Sequence, residues 1–383
     1  MKLCLNEPTE SGIPLQPLRV AQVMGIMNCG GVEAVVMNYY RVLDKSNVQF
    51  DFFVDKTSSF PQREEIERLG GRVFLVPPYS RVFSYLGALT RAFRQNEYRV
   101  VHAHTSTMNL FPLFAAWLAG VPVRICHNHS TANWGEGLKT LAKYLLRPFA
   151  RVFATDYFSC GEFAGRWMYG NRRFDSGKVH IMPNAIDTAR FAFRPGARST
   201  LRSELGIGNE TLVIGHVGRF MFQKNHSFLL DVFSELHQRH PDSVLLLIGE
   251  GELESAVQQK AKELCPNGSV RFLGVRQDVD QLYSVMDVFC LPSFYEGFPV
   301  VLLEAQANGL PCVVSYQVSA EAAIHPNVSR ISLSESPAHW ASACLGAAER
   351  MTEISEMITK AHDISLLSQD LSAFYRNRSA GGT

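Results

Sequence analysis

The sequence has almost no net charge and no long uninterrupted hydrophobic run. Its 383 residues include 37 Lys and Arg against 36 Asp and Glu, which gives a formal charge of +1. This balance argues against nucleic acid as the main partner, because any basic surface must be local. The longest apolar stretch, residues 108–123, is interrupted by Asn109, Pro112 and Gly120 and is too short to cross a membrane.

The eight cysteines lack the spacing of a metal or redox site. None form a C-x-x-C pair, and several lie inside apolar runs typical of strands. We therefore expect reduced, buried cysteines and a cytoplasmic protein. The first eighteen residues contain one lysine and no long apolar region, so they do not have the pattern of a signal peptide.

Short strand-like and helix-like segments alternate along most of the chain. Hydrophobic residues make up 46% and charged residues 19%, which is typical of a globular protein, and the length exceeds what one core usually supports. Alternation of this kind predicts parallel sheets with helices on both faces. We expect an α/β protein with two Rossmann-like domains whose parallel sheets face a central cleft, the default binding site.

A segment without periodicity, which contains Pro195 and Gly196, separates the two series. We therefore predict an N-terminal domain at residues 1–187, a linker at residues 188–200 and a C-terminal domain at residues 201–355. Residues 356–383 are expected to form a C-terminal helix followed by a tail that is disordered from Ser379 to Thr383.

Residues 287–305 combine a buried strand, a glycine-bearing loop and a helix start. Pro299 suits the first helical position, where its missing N–H costs nothing. Free N–H groups and the helix dipole make such a junction a site for an anion such as a diphosphate. Glu296 in the loop and Glu304 in the helix are predicted to lie roughly 10 Å apart, although both also suit ordinary solvated positions.

Two other strand ends carry glycines. Gly30 and Gly31 follow the first strand and open a helix, while Gly218 ends a later strand and precedes Arg219 and Lys224. Glycine allows a ligand or another backbone to approach closely, although a simple tight turn also explains a single glycine. Two cations after a buried strand could neutralise a phosphate group without a metal.

Two histidine pairs lie at the carboxyl ends of predicted strands, where ligands of parallel sheets bind. They are His102 with His104, and His127 with His129. A D-x-D motif at Asp278 could suggest a metal, but it precedes a helix, where Asp is an ordinary N-cap. We therefore expect no bound metal.

Taken together, these motifs resemble the retaining glycosyltransferases of family 4, also called group 1, which have the GT-B fold. The resemblance covers roughly residues 18–315. Its most specific mark is Glu296, seven intervening residues and Glu304, preceded by Pro292 and Ser293. The other marks are residues 30–33, residues 182–187 and residues 217–219 with Lys224.

The resemblance implies roles for these residues. Arg219 and Lys224 would hold the diphosphate of the donor, and Glu304 would bind the ribose hydroxyls, for which a carboxylate is a suitable acceptor. Glu296 would face the donor sugar, and with His129, Arg219 and Lys224 it forms the expected catalytic group. The remaining expected donor contacts are Gly30, Gly31, Asn184, Gly274, Gly297, Phe298 and Pro299.

The family has a histidine near the sugar, and four candidates are present here. His129 is favoured because it lies furthest past its strand end, while His127 and His104 are alternatives. His102 is predicted to belong to the core. Any of them could also be a structural histidine bonded to a carbonyl group.

The implied function is transfer of a sugar from a UDP- or GDP-linked donor to an acceptor hydroxyl, with retention of configuration and without a cofactor or metal. The N-terminal domain would be on the acceptor side, the C-terminal domain would bind the nucleotide-sugar, and the last helix would cross back to the first domain. A sugar or lipid-linked acceptor would suit capsular polysaccharide, exopolysaccharide, lipopolysaccharide or glycolipid synthesis. The alternatives are a sugar-nucleotide epimerase of the same architecture and a non-catalytic nucleotide-sugar-binding protein.

A lipid-linked acceptor would bring the protein to the cytoplasmic face of the membrane. An aromatic and basic segment could make a peripheral contact there, although an ordinary amphipathic helix explains it nearly as well. Its residues are Trp134, Lys139, Lys143, Tyr144, Arg147, Phe149 and Arg151.

Overall fold

The computed structural model describes residues 16–28, 31–59, 62–129, 143–347, 349–351 and 356–381. These residues form two parallel β-sheets, one in each half of the chain, with helices packed on both faces. The expected α/β architecture with two Rossmann-like domains is confirmed.

The first sheet has seven strands in the order β3-β2-β1-β4-β5-β6-β7, and every pairing is parallel. The strands are mostly buried and rich in Val, Ile and Phe, as expected for a sheet covered on both faces. They are β1 Leu18–Gly25, β2 Val48–Asp55, β3 Arg72–Val76, β4 Val100–Ala103, β5 Val123–Asn128, β6 Asp156–Ser159 and β7 Val179–Ile181.

The helices of this half connect successive strands and bury one apolar side against the sheet. They are α1 Gly31–Val42, α2 Arg63–Arg68, α3 Val82–Gln95, α4 Leu110–Leu118, α5 Glu162–Tyr169 and α6 Asn171–Asp175.

The second sheet has six strands in the order β10-β9-β8-β11-β12-β13, again all parallel. The strands are β8 Leu212–Val217, β9 Ser243–Ile248, β10 Val270–Gly274, β11 Val288–Leu291, β12 Cys312–Ser315 and β13 Val328–Ile331. The helices are α7 Pro195–Glu204, α8 His226–Arg239, α9 Glu254–Leu264, α10 Val279–Val285, α11 Val300–Ala307, α12 Pro337–Leu345, α13 Glu356–His362 and α14 Ile364–Ala380.

In each sheet the strand order reverses beside the first strand of that half. The chain moves outward from β1 to β3 and then returns to β4 on the other side of β1, and β8 has the same position between β9 and β11. Connections on the two sides diverge at such a point and leave a crevice beyond the carboxyl ends of the strands. The loops after β1, β4, β8 and β11 therefore carry the candidate site.

Helix α14 packs on the first sheet, although it follows the second sheet in the sequence. The Tyr375 hydroxyl lies 2.6 Å from Nδ1 of His102, and Arg378 forms an ion pair with Asp156 at 2.8 Å. The helix thus ties the end of the chain to the N-terminal domain.

The structure differs from the sequence prediction in three short segments. Helix α7 begins at Pro195, inside the predicted linker, and Pro299 is the N-cap of α11 because the helix begins one residue later. Ser379 and Ala380 belong to α14 instead of a disordered tail, while residues 382 and 383 lie outside the described residues. Among the described helices, none is both long and apolar enough to cross a membrane.

Candidate active site

The loops after β8 and β11 bring Lys224 and Glu296 together. Lys224 Nζ lies 2.6 Å from Glu296 Oε1, and the Ser293 hydroxyl donates to the same oxygen at 3.0 Å. Both charged side chains are largely buried, with 14% and 9% of their surfaces exposed. This partly desolvated pair is much less screened than a surface ion pair, so it holds the two loops together.

Arg219 follows the same strand as Lys224, but its side chain is exposed. Its guanidinium group has no ion-pair or hydrogen-bond partner among the described residues. A guanidinium group offers paired donors that match phosphate oxygens. Arg219 is therefore available for an anionic ligand, whereas Lys224 must share its charge with Glu296.

Glycines let the loop after β8 approach the loop after β9. A Cβ atom on Gly249, which has a φ of +133°, would lie only 2.3 Å from the carbonyl oxygen of Gly218. A Cβ atom on Gly218 would lie 3.1 Å from Cε of Lys224. The lysine side chain thus passes directly over Gly218, and larger residues at these glycines would displace it.

Glu304 lies in the wall of a cavity of about 460 Å³ between the two domains. The Tyr283 hydroxyl donates to Oε2 of Glu304 at 2.8 Å. Burial raises the pKa of this carboxyl group to about 7, although the Tyr283 hydrogen bond opposes the rise. Helix α1, Asp187, Arg190, Val217, residues 275–277 and Ile364 contribute to the rest of the wall.

Four histidines at the carboxyl ends of β4 and β5 form one cluster that contains two hydrogen-bonded pairs. His102 Nε2 lies 3.0 Å from His127 Nδ1, and His104 Nδ1 lies 2.9 Å from His129 Nε2. His102, His104 and His127 are buried, while His129 is partly exposed. Burial is the main cause that lowers the pKa of all four rings, that of His129 to about 3, so the rings are neutral near pH 7.

Ring nitrogens of His102, His104 and His127 lie within 4.8 Å of one another, which is close enough to consider a metal ion. In each of these three rings, at least one nitrogen already forms a hydrogen bond to another ring, to Tyr375 or to Gln22. The donor set is therefore engaged within the protein, and the absence of a metal stays a prediction.

Both aspartates of the D-x-D motif, Asp278 and Asp280, form ion pairs with arginines. Asp278 has the N-cap position of α10, but its carboxylate binds Arg276 at 2.6 Å instead of the helix N–H groups. Asp280 binds Arg190 and Arg194, each at 3.2 Å. The predicted side-chain cap is wrong because a nearby guanidinium group competes successfully for the carboxylate.

The other residues predicted to contact the nucleotide-sugar lie in several different elements. Asn184 Nδ2 donates to the Phe298 carbonyl at 2.5 Å, which joins the first domain to the loop that contains Gly297. Gly31 begins α1 with open space where a Cβ would be, and Gly274 ends β10 with a φ of +65°. Gly30 lies outside the described residues. Roles of these residues in donor binding stay predictions.

Sequence reasoning missed several polar residues near the predicted site. His216 and His226 are buried beside Lys224, and burial is the main cause that lowers their pKa values to about 4 and about 2. The missed residues in the first domain are Gln22 and Tyr375, which bond to the histidine cluster. A polar residue within an apolar strand, as Gln22 and His216 are, was the available signal.

The fold is that of the GT-B glycosyltransferases. HepE of Anabaena in complex with UDP-glucose superimposes with a TM-score of 0.78 at 19% sequence identity, covering 94% of this chain and 99% of HepE. The lipopolysaccharide glycosyltransferase WaaG has a TM-score of 0.68 at 15% identity, covering 93% of this chain and 99% of WaaG. At these identities the likeness concerns the fold alone.

Sequence comparisons define the family. Residues 29–190 match the model of Glycosyltransferase Family 4, and residues 197–344 match that of glycosyl transferases group 1. EpsF of Bacillus subtilis (strain 168), named as a glycosyltransferase, is 40% identical over 337 residues, which cover 86% of this chain and 88% of EpsF. An Escherichia coli UDP-Gal:alpha-D-GlcNAc-diphosphoundecaprenol alpha-1,3-galactosyltransferase is 28% identical, covering 78% of this chain and 79% of that enzyme. This chain belongs to glycosyltransferase family 4, as the sequence motifs predicted.

Proposed function

We propose that this glycosyltransferase moves a sugar from a UDP-linked donor to an acceptor hydroxyl with retention of anomeric configuration and without a metal. The observation that carries the proposal is the ion pair of Lys224 and Glu296, formed by the loops after β8 and β11, where the strand order of the second sheet reverses. Arg219, exposed and without a partner among the described residues, follows the same strand as Lys224. The UDP-glucose bound to HepE and the UDP-Gal named for the Escherichia coli relative support a UDP-linked donor.

In the transfer, the bond between the anomeric carbon and the diphosphate oxygen breaks, and a bond to the acceptor oxygen forms. The diphosphate leaves with the electron pair and gains negative charge, and the proton of the acceptor hydroxyl passes to the diphosphate or to water. Arg219 and Lys224 would stabilise the leaving group, and Glu304 would bind the ribose from the wall of the cavity. Glu296 would orient Lys224 and face the sugar.

The acceptor we propose is a lipid-linked sugar of surface polysaccharide or glycolipid synthesis. The Escherichia coli relative is named for a diphosphoundecaprenol acceptor, and a Staphylococcus aureus relative is the capsular polysaccharide glycosyltransferase CapH. A sugar-nucleotide epimerase would not need an acceptor. A non-catalytic binding protein would not lose a measurable activity when Glu296 is changed.

The first experiment measures nucleotide release from UDP-glucose, UDP-galactose, UDP-N-acetylglucosamine and GDP-mannose, with and without a bacterial lipid extract. We expect acceptor-dependent release of UDP that persists in a chelator. Arg219→Met should lower kcat/KM about 100-fold, whereas Arg91→Met, a change of an exposed arginine on α3, should leave it unchanged. The anomeric configuration of the product, read by NMR, tests retention.

Three results would contradict the proposal. Isomerised donor in the absence of acceptor would indicate an epimerase, and donor binding without release of nucleotide would indicate a binding protein. Activity lost in a chelator and restored by manganese would show that a metal is required.

We also propose that residues 143–152 contact the membrane surface, where a lipid-linked acceptor resides. Leu145, Phe149 and Val152 are 64%, 54% and 60% exposed, and Lys143, Arg147 and Arg151 alternate with them. Exposed apolar groups with interspersed cations suit an anionic bilayer surface. Trp134 and Lys139 of the predicted segment lie outside the described residues.

Sedimentation with phosphatidylglycerol vesicles tests this contact. Phe149→Asp should reduce the bound fraction, while Phe83→Asp, at a residue that is 92% exposed on α3, should not. Equal binding by the two variants and the unchanged protein would contradict the membrane contact.

A further inference from the structure

The amide group of Gln22 joins two chains of hydrogen bonds that run through the histidine cluster. Its Nε2 lies 3.3 Å from the Tyr375 hydroxyl, and its Oε1 lies 2.8 Å from Nε2 of His104. Gln22 is 1% exposed, and Tyr375 is fully buried. The nitrogen of an amide group can only donate hydrogen bonds, and its oxygen can only accept them. In one chain each donor therefore points away from Gln22, and in the other each donor points towards it.

The first chain runs from Gln22 through Tyr375 and His102 to His127. The Tyr375 oxygen accepts from Gln22, so its own proton goes to Nδ1 of His102, which lies 2.6 Å away. A neutral His102 then carries its proton on Nε2 and donates to Nδ1 of His127 at 3.0 Å. His127 consequently has its proton on Nε2, where the group is buried and has no partner among the described residues.

The second chain runs from Gln22 through His104 to His129. The Gln22 oxygen requires a donor, so Nε2 of His104 carries the proton and Nδ1 accepts from Nε2 of His129 at 2.9 Å. His129 therefore presents a bare Nδ1, which is also without a hydrogen-bond partner in the part of the chain that the structure describes. A buried polar atom in this state is normally satisfied by water or a ligand.

Both chains of hydrogen bonds require that each ring have a single N–H group. Burial disfavours the charged imidazolium form of all four rings, and interactions with the other rings add to this effect for His102, His104 and His127. Each neutral ring has one donor nitrogen and one acceptor nitrogen. The orientation of the Gln22 amide group therefore determines which nitrogen carries the proton in every ring of the cluster.

We propose that Gln22 and Tyr375 are positioning residues that place the ring proton of all four histidines on Nε2. Through this arrangement His127 has an unpartnered N–H donor and His129 an unpartnered nitrogen acceptor among the described residues, and both atoms are buried. A sugar hydroxyl both donates and accepts a hydrogen bond, so it matches such a pair. The ligand part of this inference rests on the proposed function, whereas the proton positions do not.

Nitrogen-15 NMR of the full chain with labelled histidine measures the proton positions directly, because protonated and bare ring nitrogens have well-separated chemical shifts. Signals of the four rings are assigned by single His→Gln variants. We expect Nε2 protonated and Nδ1 bare in His102, His104, His127 and His129. A proton on Nδ1 in any of the four would overturn the proposal, and this measurement needs no variant beyond those used for assignment.

Tyr375→Phe tests the role of the hydroxyl group. His102 loses the donor that keeps its Nδ1 bare, so His102 and His127 should become mixtures of both tautomers, while His104 and His129 keep the proton on Nε2. The control is Tyr40→Phe, which removes another buried hydroxyl of the same domain, bonded to Gln49 and outside the cluster. Unchanged spectra, or equal changes in all four rings, would overturn the assignment of two separate chains.

Activity separates this inference from the proposed function. With the donor that the unchanged protein uses, Tyr375→Phe should lower kcat about tenfold or more with little change in KM, and Tyr40→Phe should not. If the unchanged protein releases no nucleotide, the proposed function fails and the spectra still decide the proton positions. If turnover of Tyr375→Phe equals that of Tyr40→Phe, the positioning role fails while the proposed function stands.

Discussion

At the scale of single residues, the site contains two kinds of charged side chain. Some are paired with another residue of the protein, and others are available to bind a ligand. Lys224 is paired with Glu296 at 2.6 Å, whereas Arg219 is exposed and has no partner among the described residues. Glu304 belongs to the second kind, because the Tyr283 hydroxyl and the charge of Arg190 only partly offset the burial of its carboxyl group. Unsatisfied buried groups reduce stability, so they are typical of residues that act on a ligand.

The raised pKa of Glu304 predicts a pH dependence of stability. The folded pKa of about 7 exceeds the ordinary 4.5, so the folded protein binds more protons than the unfolded chain between these values. The stability contributed by protonation is therefore present at low pH and is lost as the pH rises through about 7. In Glu304→Gln, the amide can accept the Tyr283 hydrogen bond but never becomes charged. The stability of this variant should therefore rise relative to that of the unchanged protein as the pH rises.

Urea unfolding of both proteins between pH 5 and pH 8 measures this difference. Other titrating groups are common to the two proteins and cancel in the comparison. Two stability curves that stay parallel across this range would show that burial does not raise this pKa.

At the scale of elements, the loop after β8 is positioned by its contact with the loop after β9. Gly249 adopts a φ of +133°, and a Cβ atom there would meet the Gly218 carbonyl at 2.3 Å. A Cβ atom on Gly218 would lie 3.1 Å from Cε of Lys224, so the same backbone supports the predicted phosphate contact. Close backbone contacts of this kind allow two short loops to act as one rigid unit.

Gly249→Ala should therefore destabilise the protein by about 2–4 kcal/mol, since it adds a backbone clash to an unfavourable φ. The matched control is Gly87→Ala in α3, where a Cβ meets no atom within 4 Å and Ala should stabilise the helix by about 0.5–1 kcal/mol. Midpoints of urea unfolding report both changes. Similar midpoints for the two variants would contradict the rigid contact between the loops.

At the scale of the whole molecule, Glu321 connects the two domains. Its carboxylate, in a short turn after β12, accepts from the backbone N–H groups of Glu162 and Phe163 at 3.0 and 2.8 Å. These N–H groups form the N-terminus of α5 in the first domain, where the helix dipole favours a negative charge. The contact therefore favours the arrangement of domains in this structure.

Glu321→Ala should loosen this arrangement and increase the radius of gyration measured by X-ray scattering in the absence of ligand. The expected change is small, because Asn184 and α14 also join the two halves. Glu335→Ala, which removes another exposed carboxylate of the second domain, is the control. If both variants scatter like the unchanged protein, Glu321 does not restrain the domains.

The sequence by itself determined the fold class and the family. The apolar run at residues 288–291 predicts its strand, because β-strands buried on both faces contain almost no polar side chains. Helix α7 was missed because its most buried long side chain is Arg202, 1% exposed, which binds the Val285 carbonyl and Asp287. A buried arginine gives no apolar periodicity, so the helix has the composition of a linker.

Only the tertiary structure decided which groups meet in the site. Residues 287–305 predicted an anion site with two carboxylates, but the pairing of Glu296 with Lys224 and the burial of Glu304 depend on how the loops pack. Gln22 and Tyr375 lie 353 residues apart in the sequence, and their hydrogen bond exists because α14 returns to the first sheet. Local patterns determine strands and helices, whereas the partners of a polar side chain depend on contacts between distant segments.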